Sequence, residues 1–290
     1  MRKIVQPSLE GNWVRDKLIP GLTRFMQYFL LTVGALLMIF PFYWMFTTAF
    51  KDSASATRFP PDWIPQSWHP ENFTRALEEA PFGQYFLNSI IITAASVAVT
   101  GITTIFGAFA FSRLKFPGRT VLFSLLLSLL MVPFEMLIIT NYSTISKLDL
   151  IDTKAAMVMP FMSSVFYTYI LKNFFDSVPD SLYWSARVDG STNWQYLWKV
   201  MVPIARPSLM TIVLLNAISS WNSFLWPLLI TNTKVNRTLT LGLYVFMSED
   251  GAVPNMLMAA STIVVVPIII LFLFCRKQIV NGVARGGLKG

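Results

Sequence analysis

Residues 27–49 read QYFLLTVGALLMIFPFYWMFTTA, with no Asp, Glu, Lys or Arg among them. At 1.5 Å of helix rise per residue the stretch reaches about 34 Å, enough to cross a hydrocarbon core of about 30 Å. Working outward, five more stretches are long and apolar enough, at about 87–112, 119–141, 154–174, 207–230 and 256–275. The expected fold is an all-α polytopic membrane protein with six transmembrane helices.

Composition points the same way. Of 290 residues, 54% are hydrophobic and 13% charged, too few charges for a water-exposed surface, where roughly 25% is usual. Disorder is excluded by 24 Phe and 9 Trp, which would not stay in water. One Cys and one His exclude a disulfide framework and a Cys-type or multi-histidine metal site. Cys275 reads as an apolar residue near the inner face and His69 as a loop residue. A net charge of +8 raises nucleic acid as a partner, but the charges sort by loop, which argues for membrane topology and no nucleic acid.

With the N-terminus inside, 16 of the 23 Lys and Arg fall on cytoplasmic segments and 9 of the 15 acids on outer ones. Both termini are therefore expected in the cytoplasm. The chain divides into a cytoplasmic segment 1–26, a six-helix transmembrane domain 27–275 with a cytoplasmic loop at about 175–206, and a cytoplasmic tail 276–290. No small-residue cleavage site follows the first apolar stretch, which is expected to stay as an anchor. Leu18, Ile19, Leu22, Phe25 and Met26 are spaced for a helix lying along the membrane. The first outer loop, about 50–86, predicts a short amphipathic helix from Glu71 to Glu79 after Pro70. The third, about 231–255, is polar. No internal repeat and no matched pair of broken helices is visible.

The loop at 175–206 is the most informative. Pro179 suits a helix start and Asp180 its first turn. Gly190 supplies a backbone turn that other residues resist. Pro203 and Pro207 end the run and restart a helix. The pattern is helix, tight turn, helix, with aromatic residues that must pack on the chain's own loops or dock a cytoplasmic partner.

Here the chain resembles the inner-membrane subunits of binding-protein-dependent ABC importers. Their E-A-A-x3-G-x9-I-x-L-P spacing is met by Trp184-Ser185-Ala186, Gly190 and Val200-Met201-Val202-Pro203, with Arg187 and Asp189 between. Trp184 and Ser185 stand where the family has Glu and Ala. The link FSRLKFPGR from Phe111 to Arg119, the stretch Trp221-Asn222-Ser223-Phe224-Leu225-Trp226-Pro227-Leu228 and the tail Gly282 to Gly290 resemble the carbohydrate branch, the tail that of the maltose-importer type. The resemblance implies a type I ABC importer permease fold in a bacterial or archaeal cytoplasmic membrane. It also implies a second homologous permease subunit, two ATP-binding-cassette subunits and an extracytoplasmic solute-binding protein. Residues 184–190 would be the coupling helix, and tail residues Gly286, Lys289 and Gly290 would reach the ATPase pair. ATP and Mg would sit on the partner subunits; no G-x-x-x-x-G-K-[ST] loop is present, so the chain is expected not to be an enzyme and to hold no cofactor or metal.

Polar residues inside the spans carry the solute question. Asn216, Ser219, Ser220 and Ser223 share one helix face, and Ser219, Asn222 and Trp226 form an overlapping stripe. The face either packs helices through small residues or lines a path. A sugar would suit it, since hydroxyls need amide and hydroxyl partners and C–H faces stack on aromatic rings. Ser163 and Tyr167 in the fourth span are further candidates. Glu135 is the only acid well inside a span, read as a proton or cation site or as a carboxyl near the outer end of its helix. Pro41, Pro133 and Pro267 are expected to kink their spans. The alternatives are import of a glycerol-phosphate-type solute, which calls for a strong cation on the path, a self-contained secondary transporter coupled through Glu135, and an intramembrane enzyme, for which the spans hold no paired acids or Ser-His pair.

Overall fold

The computed structural model describes the backbone of residues 19–248 and 251–287, and the side chains of 22–247 and 253–273. Helix α1 spans Ile19–Ala49 and α2 Ser53–Thr57. The amphipathic stretch forms α3, Glu71–Glu79, as its spacing predicts. Next come α4, Phe82–Arg113, α5, Arg119–Ser128, and α6, Phe134–Lys147. The short α7, Lys154–Val158, precedes α8, Val165–Asp176, and α9, Asp180–Val188. Then follow α10, Asn193–Tyr196, α11, Val202–Ile204, α12, Arg206–Trp221, α13, Leu225–Ile230, and α14, Leu239–Gly242. A two-stranded ribbon, Met247–Ser248 with Gly251–Ala252, leads into α15, Pro254–Gly287.

The helices run differently from the six transmembrane helices expected. Among the described residues three single helices are long and apolar enough to cross a membrane: Leu22–Ala49, Phe82–Arg113 and Pro254–Leu273. Counting each bent pair as one span raises this to five. Pro41 and Pro267 sit inside continuous helices, but Pro133 ends one. Val132 before it is extended, at φ −90° and ψ 112°, because a residue preceding proline is pushed out of the helical region. The pair on either side bends by 100°. The surface helix expected at 1–26 falls largely outside what is described. Residues 1–18 lie outside the described residues, and from Ile19 the chain is already in the helix that runs to Ala49.

The expected fourth span is three pieces, α7, a tight turn at Met159–Phe161 and α8, separated at Met162–Ser164. Pro160 has no N–H for the Ala156 carbonyl, and that carbonyl instead accepts from Trp226 Nε1 at 3.0 Å. The unwound backbone is satisfied by hydroxyls. Thr100 Oγ1 donates to Phe161 O at 2.7 Å, Thr103 Oγ1 to Met162 O at 2.7 Å and Thr168 Oγ1 to Ser164 O at 2.8 Å. Non-helical backbone at membrane depth needs such partners or a cavity. The fifth span likewise parts at Asn222–Phe224, before Pro227.

The chain forms two compact units. In the first, residues 19–73 with 253–262, Asn72 Nδ2 donates to the carbonyls of Ala49 and Lys51 at 2.9 and 2.8 Å, closing the end of α1. Buried Lys51 donates from Nζ to Asp62 O at 2.6 Å and sits 4.1 Å over the Trp44 ring. Most of α1 before Thr47 is exposed and apolar, a surface for lipid or another membrane chain.

In the second unit α4 packs on α8 and α12. One core joins Phe109 and Ala108 of α4 with Leu171 and Phe175 of α8 and with Tyr196, Leu197 and Met201 of the 175–206 loop. Another gathers Ile92, Ile145, Met157, Trp226 and Ile230. Gly242 lies so close to Tyr85 that an added Cβ would stand 2.6 Å from its ring. Asp152 fastens two loops: its carboxylate accepts from Asn232 N at 3.1 Å, Thr233 N at 3.2 Å and Thr233 Oγ1 at 2.7 Å. Partial burial would raise its pKa, but these donors outweigh it and hold the carboxyl below its ordinary value.

Candidate functional site

A cavity of about 260 Å³ lies where the two helix breaks face α4. Helix α4 supplies Ile92, Ser96 and Thr100. The broken fourth segment supplies Met157, Phe161, Ser163, Ser164, Phe166 and Tyr167. Helix α12 and its end supply Asn216, Ser219, Ser220 and Ser223, with Pro227 and Thr238 completing the wall. Among the described residues, no charged side chain lines it.

Hydrogen bonds divide the wall into structural and free groups. Thr100, Ser164 and Thr238 are engaged with the backbone. The side chains of Ser96, Ser163, Asn216, Ser219, Ser220 and Ser223 make no hydrogen bond among the described residues. Asn216 is 8% exposed, so an amide with two donors and an acceptor points into the cavity with no protein partner. Buried polar groups are nearly always paired, and unpaired ones facing a cavity call for water or solute. Tyr167, Phe166 and Phe161 add aromatic surface.

The two overlapping stripes on the fifth span separate here. Ser219 and Ser223 reach the cavity with Ser163 and Tyr167; Asn222 and Trp226 do not. Asn222 is exposed at the end of α12. Trp226 is 2% exposed, with its N–H given to Ala156, so no face is left for a solute. The helix break at 222–224 turns it away from the stripe. Ser96 and Thr100 were not singled out from sequence, although Ser96, Thr100 and Thr104 repeat every four residues along one face of α4. Glu135 is exposed in the first turn of α6, where a negative charge meets the helix dipole, and does not line the cavity.

The loop at 175–206 forms helix α9, a turn at Gly190 with φ +77°, and a second helix capped by Thr192 and Gln195. Gln195 N donates to Thr192 Oγ1 at 3.2 Å and Thr192 N to Gln195 Oε1 at 2.8 Å. Leu197–Met201 widens into a π-helical turn just before Pro203, which cannot bond or fit the carbonyl four residues back. Tyr183 and Ala186 pack inward on the core. Trp184 (59% exposed) and Val188 (88%) face out, as do Ser185, Arg187 and Asp189. Arg187 Nη1 donates to Ser191 O at 3.2 Å across the turn. Gly286 lies in the last turn of α15, while Lys289 and Gly290 lie outside the described residues.

Residues 103–285, which include most of the cavity wall and the whole α9–Gly190–α10 element, match the family of binding-protein-dependent transport system inner membrane components. The chain belongs to that family. The permease subunit is 34% identical over 254 residues to the probable ABC transporter permease protein YurM of Bacillus subtilis, covering 87% of this chain and 84% of that one. It is 31% identical over 268 residues to the arabinooligosaccharides transport system permease protein AraQ of Halalkalibacterium halodurans, covering 90% and 96%. Its fold matches a chain of a bacterial ABC transporter involved in import of the acidic polysaccharide alginate, with a TM-score of 0.78, 23% identity, and coverage of 95% and 99%. The permease fold expected from the motifs is thus borne out.

Proposed function

We propose that this permease subunit carries an uncharged carbohydrate, an oligosaccharide entering by one end, through the cavity between α4, α8 and α12. The observation that carries this reading is a wall of unpaired hydroxyls and one unpaired amide beside aromatic rings, with no charge. Neutral polyols need such donors and acceptors; a phosphate or uronate calls for a cation, which this wall lacks. The arabinooligosaccharide relative supports the carbohydrate class.

The rest of the transporter follows from the family. A solute-binding protein delivers the sugar outside, a second permease subunit completes the path, and two ATPase subunits hold ATP and Mg. The exposed turn Trp184–Gly190 docks one ATPase, and the tail residues Gly286, Lys289 and Gly290 are the contact to the ATPase pair. Six membrane crossings with both termini inside satisfy the charge distribution, the broken segments counting as crossings. Closure of the ATPases drives the helices between inward-facing and outward-facing arrangements.

The test is uptake by the reconstituted complex with its binding protein. ATP-dependent accumulation of neutral oligosaccharides, and none of glycerol phosphate or uronate oligomers, is the expected result. Accumulation without ATP or without partner subunits would refute the importer reading.

A further inference from the structure

Arg113, the last residue of α4, is 7% exposed in its side chain and binds three acceptors on two other elements. Nη1 donates to the Asp180 carboxylate in the first turn of α9. Nη2 donates to Phe175 O at 2.7 Å and Val178 O at 2.5 Å, at and just beyond the C-terminal turn of α8. The cation therefore closes a helix end whose carbonyls are partly negative, Phe175 O also accepting from Val178 N at 3.1 Å. Asp180 is 80% exposed, and Arg113 is its only ion-pair partner among the described residues.

The same two helices form part of the cavity wall, with Ser96 and Thr100 midway along α4 and Tyr167 in the first turn of α8. Thr100 and Arg113 are joined by continuous, proline-free helix about 20 Å long. Apolar packing of α9, through Tyr183 and Ala186, is non-directional and lets a helix slide. A planar guanidinium fork with three fixed acceptors does not.

We infer that Arg113 is a positioning residue that transmits movement of the docking helix α9 to α4 and α8, and through them to the cavity. The inference rests on the docking reading of residues 184–190. A lysine would keep the charge but serve fewer of the three acceptors.

The experiment compares Arg113→Met, Arg113→Lys, Asp180→Asn and the Arg113→Met/Asp180→Asn double variant in full reconstituted complexes. It measures ATPase co-purification and solute moved per ATP hydrolysed. The single variants are expected to keep the ATPase and hydrolyse ATP while solute per ATP falls about tenfold. Arg113→Lys falls part-way, and the double variant falls no further than the worse single. A wild-type ratio in both Arg113→Met and Asp180→Asn would overturn the inference. Loss of the ATPase from both would also overturn it, since the fork would then only shape the docking surface. A wild-type complex without an ATPase or sugar-dependent hydrolysis would instead sink the importer reading, and the control reports that separately.

Discussion

Asn216 shows how a single side chain separates a structural from a functional role. Its amide is buried without a protein partner, so Asn216→Leu removes no internal hydrogen bond. The variant is expected to keep or gain thermal stability while apparent affinity for the sugar drops, by about five- to tenfold for one lost hydrogen bond of about 1 kcal/mol. Trp226→Phe should do the reverse. It strands the Ala156 carbonyl and destabilises by about 1–3 kcal/mol, with uptake per folded molecule retained. Melting curves beside uptake kinetics check both, and a destabilised Asn216→Leu with normal affinity would place that residue in helix packing. The stripe was legible in the sequence because Asn216, Ser219 and Ser223 recur at helical spacing. That Trp226 leaves it was not, since the partner of its N–H lies 70 positions away.

Among the elements, helix α9 with its Gly190 turn and the Asp152 clasp give separate expectations. Gly190 holds φ +77°, so Gly190→Ala costs about 1–2 kcal/mol locally in a turn that faces out. Co-purification of an ATPase subunit should weaken while the core around Phe175 and Tyr196 keeps the fold; undiminished co-purification would count against docking at this turn. Asp152 carries a carboxyl whose pKa falls on folding. Its contribution is complete above the unfolded value of about 3.9 and fades as pH drops through the lower folded value. Stability of the loops that Asp152 joins should therefore decline below about pH 4 in the wild type and be flat there in Asp152→Asn, as limited proteolysis across that range would show. The helices themselves were legible where the period was local, as in Glu71–Glu79 and Asp180–Val188. The breaks at Val132, Met162–Ser164 and Asn222–Phe224 were less so. A proline announces a fault, but neighbouring hydroxyls such as Thr100 and Thr103 decide whether the helix bends or opens.

At the scale of the whole chain, charge and hydropathy predict a six-crossing topology with both termini inside. Two-sided labelling tests it, starting from a Cys275→Ser background so that introduced cysteines report alone. Positions 10 and 285 should react only from the cytoplasmic side and position 249 only from outside. Reaction of 10 and 249 from one face would overturn the six-crossing arrangement.

Sequence alone determined that the chain lives in a membrane, where its apolar stretches lie and where it turns outward at Gly190. It also showed one polar face of the fifth span. These are read from composition and from periods of three and four residues, which the backbone itself imposes. Only the tertiary structure decided that no charge lines the cavity among the described residues, that two segments open to form it, and that Arg113 ties α4 and α8 to α9. Those outcomes rest on pairs such as Arg113 with Asp180 and Thr103 with Met162, separated by about sixty residues. No local period encodes such pairs; they exist only once elements distant in sequence are packed together.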